Sequence, residues 1–414
     1  MPDNEKIYSN TSNIDNQAKA PDISFDNLEL TFSGKDDKEL QNTYFVFKLI
    51  SNPFITLIFS KLTLLALKIY LPVNWLIKAT VFRQFCAGET LEECSGIINK
   101  LGREGIGCTL DYCVESKSTE KDFEKTKTEI LKMIDFAKVN AHVYSVSLKP
   151  TSIARYELLE KVSNKEELTQ KEQLEFENIR SRLDEICSNA SRSDLPVLID
   201  AEKSQTQNAI DDLCRAMMEK YNSKKPIVFI TLQMYRWDRL HFLDKLLEDS
   251  KTKNFILGVK FVRGAYWEKE IKRGEELKCR PVVYMKKEET DDAYNNAVAI
   301  CLENLNRTAI CAATHNEESS MILASGMKNL NIKPDHPNIE FSQLYGMSDH
   351  ISYNLTKGGH NVTKYLPYGP IKYVIPYLIR RAEENKGIEG QMGKELKMII
   401  KERERRKGVK SVCL

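Results

Sequence analysis

A distorted (β/α)8 barrel of the TIM type, preceded by a helical arm, is the fold this sequence predicts. Three observations carry that reading. Eight short runs rich in β-formers recur between residues 106 and 369. Charged stretches with helical periodicity separate them, the alternation that marks parallel βα units. The span is close to the ~250 residues typical of this barrel.

The elements follow in order. Thr90-Leu-Glu-Glu93 reads as a capping box opening a helix that ends near Gly102. The strand-like runs are 106–112, 143–149, 196–202, 227–235, 258–264, 309–316, 339–345 and 362–369. Helical periodicity covers 123–138, 209–221, 240–247, 291–305 and 317–330. Residues 155–192 exceed one crossover helix and predict two, with a turn near Asn164. The expected organisation is a disordered or extended N-terminus (1–27), a helical arm (28–88), the barrel (89–390) and a charged C-terminal tail (391–414), whose residues 394–410 read as a solvated or frayed helix.

Composition narrows the class. Of 414 residues, 42% are apolar and 29% charged, which fits a globular chain. A net charge of +2 gives no reason to expect nucleic acid. Ten scattered cysteines form no CxxC pair, and the six histidines are dispersed. That pattern argues against a metal site or a disulfide framework and for a reducing compartment. The first arginine is Arg83, so the N-terminus lacks the Arg-rich character of a transit peptide, and no early apolar core suggests a secretory signal. Residues 44–82 are apolar but interrupted by Lys48, Pro53, Lys61, Lys68 and Lys78. No run reaches the ~18 residues of a spanning helix. The arm therefore reads as a packing element, or else as a peripheral membrane contact whose lysines meet head groups. The expected location is the cytoplasm, on the inner face of a membrane if the arm touches lipid.

Barrel enzymes place their chemistry at the C-terminal ends of the strands. Here those ends carry Asp111, Lys149, Asp200, Glu202, Gln233, Arg263, Tyr266, Thr314, His315, Asn316, Gln343 and Tyr365. Packing alone does not require so many polar groups. After the last run comes Tyr-Leu-Ile-Arg-Arg-Ala-Glu-Glu (377–384). On a helix Tyr377, Arg380, Arg381 and Glu384 share a face. Paired guanidiniums beside a ring make a fork for a small carboxylate; the plainer reading is a solvated helix with Arg–Glu pairs. Lys260, near the end of the fifth strand, is a cation of the kind that favours an anionic reduced flavin, or it only neutralises neighbouring carboxylates. Gly264 would let backbone approach a ligand closely. Lys149 is either a Schiff-base amine or, as the reading favoured here, the ionic partner of Asp200. Thr314-His315-Asn316 offers three hydrogen-bonding groups or simply a strand-end turn. Neither GxGxxG nor GxxxxGK[ST] is present.

Together these segments resemble the proline dehydrogenase family over roughly residues 80–390. The resemblance rests on Val-Lys-Phe-Val-Arg-Gly-Ala-Tyr (259–266), Ala-Thr-His-Asn (313–316), Gln-Leu-Tyr-Gly-Met (343–347) and Lys-Tyr-Leu-Pro-Tyr-Gly-Pro (364–370) followed by the double-arginine helix. It implies FAD-dependent oxidation of L-proline to 1-pyrroline-5-carboxylate, the first step of proline catabolism to glutamate, by hydride transfer to flavin N5. Quinone would take the electrons, and a separate pyrroline-5-carboxylate dehydrogenase would receive the product, because the chain lacks the aldehyde dehydrogenase domain of the bifunctional relatives. By the same resemblance Arg380 and Arg381 hold the substrate carboxylate. Lys149, Asp200, Tyr266, Leu344, Tyr365 and Tyr377 wall the proline pocket. Asp200, Gln233 and Lys260 lie close to the flavin, Val262, Gly264 and Ala265 give it backbone contacts, and Trp267 lies near the adenine. Lys286, Lys287, Thr314, His315 and Asn316 bind the rest of the cofactor, and Glu384 orients the arginines or contacts the cofactor. Two departures stand out: Lys260 replaces an arginine of the bifunctional relatives, and Tyr284-Met-Lys-Lys287 replaces their Tyr-Thr-Arg-Lys. Hydroxyproline-oxidising relatives have serine where this chain has Tyr365, so L-proline is the expected substrate and hydroxyproline dehydrogenase the alternative. A flavin-free aldolase-type barrel using Lys149 and a proline-binding sensor without chemistry are the rivals from other classes.

Overall fold

The computed structural model describes residues 23–51, 74–114, 118–383 and 391–412. At its centre eight parallel strands close into a barrel in sequence order. They are β1 Gly107–Tyr112, β2 Val143–Leu148, β3 Val197–Ile199, β4 Val228–Gln233, β5 Leu257–Val262, β6 Thr308–Ala313, β7 Ile339–Leu344 and β8 Val362–Tyr368. Each predicted run overlaps one of them, β5 and β6 beginning one residue earlier than predicted. β8 closes against β1 with Tyr365 opposite Thr109.

The strands bury two different faces. Outward residues such as Leu110, Val146, Val259 and Leu366 join helix residues such as Ile98, Ile134 and Leu243 in the main apolar core. The interior is more polar: Thr109 Oγ1 lies 2.9 Å from Ser145 Oγ, and Thr363 Oγ1 donates to Glu340 Oε1 at 2.7 Å. Only Leu198, Phe229, Ala309 and Cys311 form a separate small apolar cluster. Inward and outward residues alternate along each strand, so the polar set inside is continuous with the polar strand ends.

The predicted helices are present at Leu91–Arg103, Glu120–Lys138, Ser204–Tyr221, Arg239–Thr252, Lys287–Glu303 and Glu317–Asn329. The 155–192 segment forms Tyr156–Ser163 and Gln170–Arg192, and Asn164 caps the first. The capping box at Thr90 is only half made. Thr90 Oγ1 accepts the Glu93 N–H at 3.4 Å, but Glu93 Oε2 takes the N–H of Glu89, one residue earlier. Two helices were not expected from the sequence. Trp267–Glu276 buries Glu270 and Gly274, and Glu270 docks it by accepting the N–H and hydroxyl of Ser204 at 2.8 and 2.6 Å. Asp349–Lys357 starts after Ser348, whose φ of 50° is left-handed and gives no cap signal.

The arm and the tail pack on each other and on the barrel. Asp37–Ile50 opens with a capping box between Asp36 and Glu39. Asn74–Ile77, a π-helical turn at Lys78–Phe82 and Arg83–Phe85 then lead to the barrel. Phe47, Ile50, Phe82 and Phe85 form a second apolar core with Val374, Ile375, Tyr377 and Leu378 of the double-arginine helix. The tail is helical over Gln391–Val412, but one of its faces is buried rather than solvated. Met398 and Ile399 belong to the same apolar core, and Arg406 binds the carbonyls of Phe32 and Lys35 at 2.9 and 3.0 Å. Arg403 lies 4.0 Å from the centre of the Tyr44 ring. Charged residues hid this contact because their long stems cover apolar surface while their heads stay polar. Residues 52–73, the middle of the stretch read as packing or lipid-contacting, lie outside the described residues. No described helix is long and apolar enough to cross a membrane.

Candidate active site

Four of the residues singled out from the sequence meet directly at the C-terminal mouth of the barrel. Asp200, just past β3, is their hub. Its Oδ1 accepts from Lys260 Nζ at 2.7 Å and Ser147 Oγ at 3.0 Å. Its Oδ2 accepts from Tyr365 OH at 2.9 Å and faces Lys149 Nζ at 3.6 Å. Lys149 binds Asp111 Oδ2 more closely, at 2.9 Å. The expected Lys149–Asp200 pair is therefore the weaker half of a shared arrangement. Lys260 Nζ also sits 4.6 Å from the centre of the Tyr365 ring, a cation–π contact.

The charges of this cluster are fixed by one another. Burial opposes the Asp200 carboxylate, but Lys260 and Lys149 outweigh it and hold its pKa down at about 2. Burial likewise opposes the Lys149 ammonium, yet Asp111, Tyr365, Cys113 and Asp200 together hold it well above the ordinary lysine range. A Schiff-base lysine needs the opposite shift, so the aldolase reading loses its premise. Burial raises the Tyr365 phenol, and Asp111 and Asp200 raise it further.

A second group forms around the ends of β5 and β6. Arg263 donates to Asp291 Oδ1 and Thr314 Oγ1, both at 2.6 Å, and to Ser319 Oγ at 2.9 Å. Lys287 pairs with the same Asp291. Asn316 Oδ1 caps the next helix by accepting the Ser319 N–H at 3.0 Å. His315 Nδ1 lies 2.9 Å from Ser348 Oγ. Burial, then Lys364 and Arg381, push the His315 pKa down to about 3, so its ring is neutral near pH 7. Ser348 is held in its left-handed conformation because Glu395 Oε1, from the C-terminal helix, accepts its N–H at 2.6 Å.

The double-arginine segment lies on the helix Ile371–Glu383. Tyr377 is buried in the core shared with the arm, and the Arg381 guanidinium is 5.3 Å from the centre of its ring. The Arg381 charge is also felt at His315, which brings this helix and the β6 end to one region. Arg380 is half-buried beside it. Leu344 ends β7 against the same apolar core. Glu384 lies outside the described residues.

The remaining residues occupy the rim. Gln233 donates its amide to the Glu202 carbonyl at 2.6 Å. The Val262 carbonyl accepts the Met234 N–H at 2.8 Å. Gly264 has a φ of 136°, and a Cβ there would stand 2.5 Å from the Tyr235 ring. Packing thus demands this glycine independently of any ligand. Ala265 and Tyr266 follow it, and Lys269 reaches over the Tyr266 ring. Trp267 is 41% exposed and donates from Nε1 to the Tyr284 carbonyl at 2.8 Å. Lys286 starts the next helix, with its N–H on Glu289.

Sequence reasoning gave no role to Asp111, Ser147, Asp291, Ser348 or Glu395. Asp111 ends a strand and Asp291 lies four residues after Lys287 on one helix, so both had a local signal. Ser348 and Glu395 had none, because their contact joins the barrel to the tail. Among the described residues no three His, Cys, Asp or Glu side chains gather as a metal site.

These groups suit a dinucleotide flavin: a buried cation at the mouth, a guanidinium and two lysines along one rim, and an exposed indole beyond them. Near the same β6 end, two arginines on an anchored helix suit a carboxylate. The family model described as proline dehydrogenase matches residues 94–394. A carbapenem antibiotics biosynthesis protein, CarD, of Pectobacterium carotovorum subsp. carotovorum is 36% identical over 322 residues, covering 78% of this chain and 83% of that protein. Mitochondrial proline dehydrogenase 1 of Dictyostelium discoideum is 33% identical and covers 91% and 74% respectively. Hydroxyproline dehydrogenase of Xenopus laevis is 30% identical and covers 80% and 79%. Among solved structures, proline utilization A from Bdellovibrio bacteriovorus matches with a TM-score of 0.69 at 20% identity, over 87% of this chain but only 38% of its own length. That likeness concerns the fold. Proline oxidation is the activity these relationships support, and the chain belongs to the proline dehydrogenase family of oxidoreductases.

Proposed function

We propose that this chain oxidises L-proline to 1-pyrroline-5-carboxylate with FAD, and that the reduced cofactor passes its electrons to a quinone. The observation that carries the reading is the Lys149–Asp200–Lys260–Tyr365 cluster at the mouth, accompanied by Arg381 and Tyr377. FAD, when bound, accepts a hydride from the ring carbon next to the substrate nitrogen. The chain's own residues do the rest. Arg380 and Arg381 hold the carboxylate and so fix the ring. Tyr365 and Tyr377 supply buried walls that exclude water. Lys260, a buried cation at the mouth, would stabilise the negative charge of a reduced flavin. Asp200 titrates far below pH 7 and Lys149 and Tyr365 far above it. None of these three is a base tuned near neutrality, so the substrate binds with its amine already neutral. Arg263, Lys286, Lys287, Thr314, His315 and Asn316 would hold the polar parts of the cofactor, and Trp267 would contact its adenine.

Purified full-length protein should be yellow and should bleach when L-proline is added without oxygen. Colourless protein would remove the flavin, and colour that persists with proline would leave only a binding protein.

Substrate choice is expected to favour L-proline over trans-4-hydroxy-L-proline. Tyr365 is pinned by Asp200 at 2.9 Å and by the Lys260 contact, so its ring cannot easily swing aside. Overpacking by a hydroxyl would cost roughly 1–3 kcal/mol. The kcat/KM preference for proline should narrow in Tyr365→Ser. Equal efficiency of the wild type on both substrates would contradict the assignment.

The quinone implies a membrane, and the arm is the segment suited to reach it. Phe45 and Trp75 are 58% and 72% exposed on either side of residues 52–73. The chain should float with anionic vesicles, and Trp75→Glu with Phe45→Glu should float less. Equal flotation of the two proteins would leave the arm as a packing element only.

A further inference from the structure

A second cavity, of about 180 Å³, lies outside the barrel between the arm and the outer side of β7 and β8. Strand alternation explains its position: Tyr365 meets Asp200 at the mouth, while its neighbour Lys364 faces the arm. The cavity exceeds the ~150 Å³ of a void that accommodates benzene. Its charged lining is Lys35, Arg83, Lys100 and Lys364 against Glu39 and Asp349.

These charges do not balance. Lys100 is matched by Glu39, at 2.7 and 2.8 Å. Asp349 pairs with both Lys35 and Lys364, the latter at 2.9 Å, and the buried carboxyl of Glu395 also faces these two lysines. Arg83, at the mouth, forms no ion pair among the described residues. Four cations therefore face two lining carboxylates and Glu395 behind them, which leaves the Arg83 charge in excess. Lys364 is fully buried, and burial depresses its pKa even though Asp349 opposes the shift. Buried charge is costly unless it is paired. Val46, Ile97 and Leu101 add apolar surface to a lining that also includes Asn42, Thr43, Thr80 and Gln84, a mixed surface that suits an aliphatic body with polar ends better than a fully oxygenated anion.

We propose that this cavity binds a small aliphatic dicarboxylate, one carboxylate meeting Lys364 and Lys35 and the other Arg83. Its occupant is linked to the mouth by short paths. Lys364 Nζ holds the Met347 carbonyl at 2.6 Å, and the next residue, Ser348, contacts His315. The Tyr345 N–H, on the cavity wall, binds the Tyr365 carbonyl at 3.0 Å.

Succinate is a suitable probe, titrated into the full-length protein at constant ionic strength while thermal unfolding is followed. The wild type should show a saturable rise in Tm with succinate and none with neutral succinamide or with inorganic phosphate. Arg381→Met, which removes half of the carboxylate clamp at the mouth, should keep the rise. Arg83→Gln should weaken half-saturation about tenfold, as loss of one charge-assisted contact does, and Lys364→Met should abolish the rise. If Lys364→Met does not fold, the exposed Arg83 decides. The proposal fails if succinate gives no saturable rise, if phosphate or succinamide matches it, if Arg381→Met abolishes it, or if Arg83→Gln leaves half-saturation unchanged.

Discussion

Arg381→Met should raise the KM for L-proline by the equivalent of about 2–5 kcal/mol while FAD stays bound, because truncating one partner of a desolvated, hydrogen-bonded charge pair costs that much. Arg380→Met should behave similarly. The helix that carries both arginines is not a solvated surface helix. Val374, Ile375, Tyr377 and Leu378 anchor it in a core shared with the arm and the C-terminal helix, and Arg381 stacks toward the Tyr377 ring at 5.3 Å. Its guanidinium is therefore positioned before substrate arrives, which reduces the ordering cost of binding. Steady-state kinetics with L-proline, alongside the flavin spectrum of each variant, checks this. A near-normal KM in both variants would restore the reading of ordinary surface arginines.

How much of this was legible depended on range. Strands and most helices follow from local periodicity, and the barrel follows from their alternation. The strand-end rule then placed Lys149, Asp200, Tyr365 and Arg263 at one mouth without any knowledge of contacts. What it could not do was choose partners: Asp111, on the adjacent strand β1, takes Lys149 more closely than Asp200 does, and both are acids at strand ends. The Trp267–Glu276 helix was hidden because a carboxylate, Glu270, does the docking usually left to apolar residues. The C-terminal helix misled for a related reason. A charged sequence reads as solvated, yet Glu395 and Glu402 are buried, with Glu402 held by Arg405 and Arg406 at 2.7 Å. The Glu402 pairs lie within the helix at three- and four-residue spacing, but the burial of this face against the arm and barrel leaves no trace in the charge pattern. The resemblance to a family supplied the candidate site residues, but contacts such as Glu395 to Ser348 lie outside its motifs.

Lys260→Met should destabilise the folded protein by about 3–5 kcal/mol, the usual cost of leaving one member of a buried ion pair alone. The Lys260 and Asp200 side chains are 7% and 14% exposed, so water cannot replace the lost ammonium. Lys149 at 3.6 Å remains, but it is already committed to Asp111, and the value should fall near the lower end. The same pair makes a statement about pH. Asp200 has its folded-state pKa depressed from 3.8 to about 2, so in acid the unfolded chain takes up the proton first. Its stabilising contribution is complete above the ordinary value of 3.8 and is lost as pH falls through about 2. Asp238 and Glu317 are also held at about 2, so the wild-type slope contains several groups. The difference between wild type and Asp200→Asn isolates the one in question. Urea unfolding at intervals between pH 5 and pH 3 should show the wild type losing stability faster than Asp200→Asn. Parallel slopes, or a Lys260→Met cost below about 1 kcal/mol as at an exposed pair, would mean that the cluster is solvated and its charges are not fixed in the way the proposed chemistry requires.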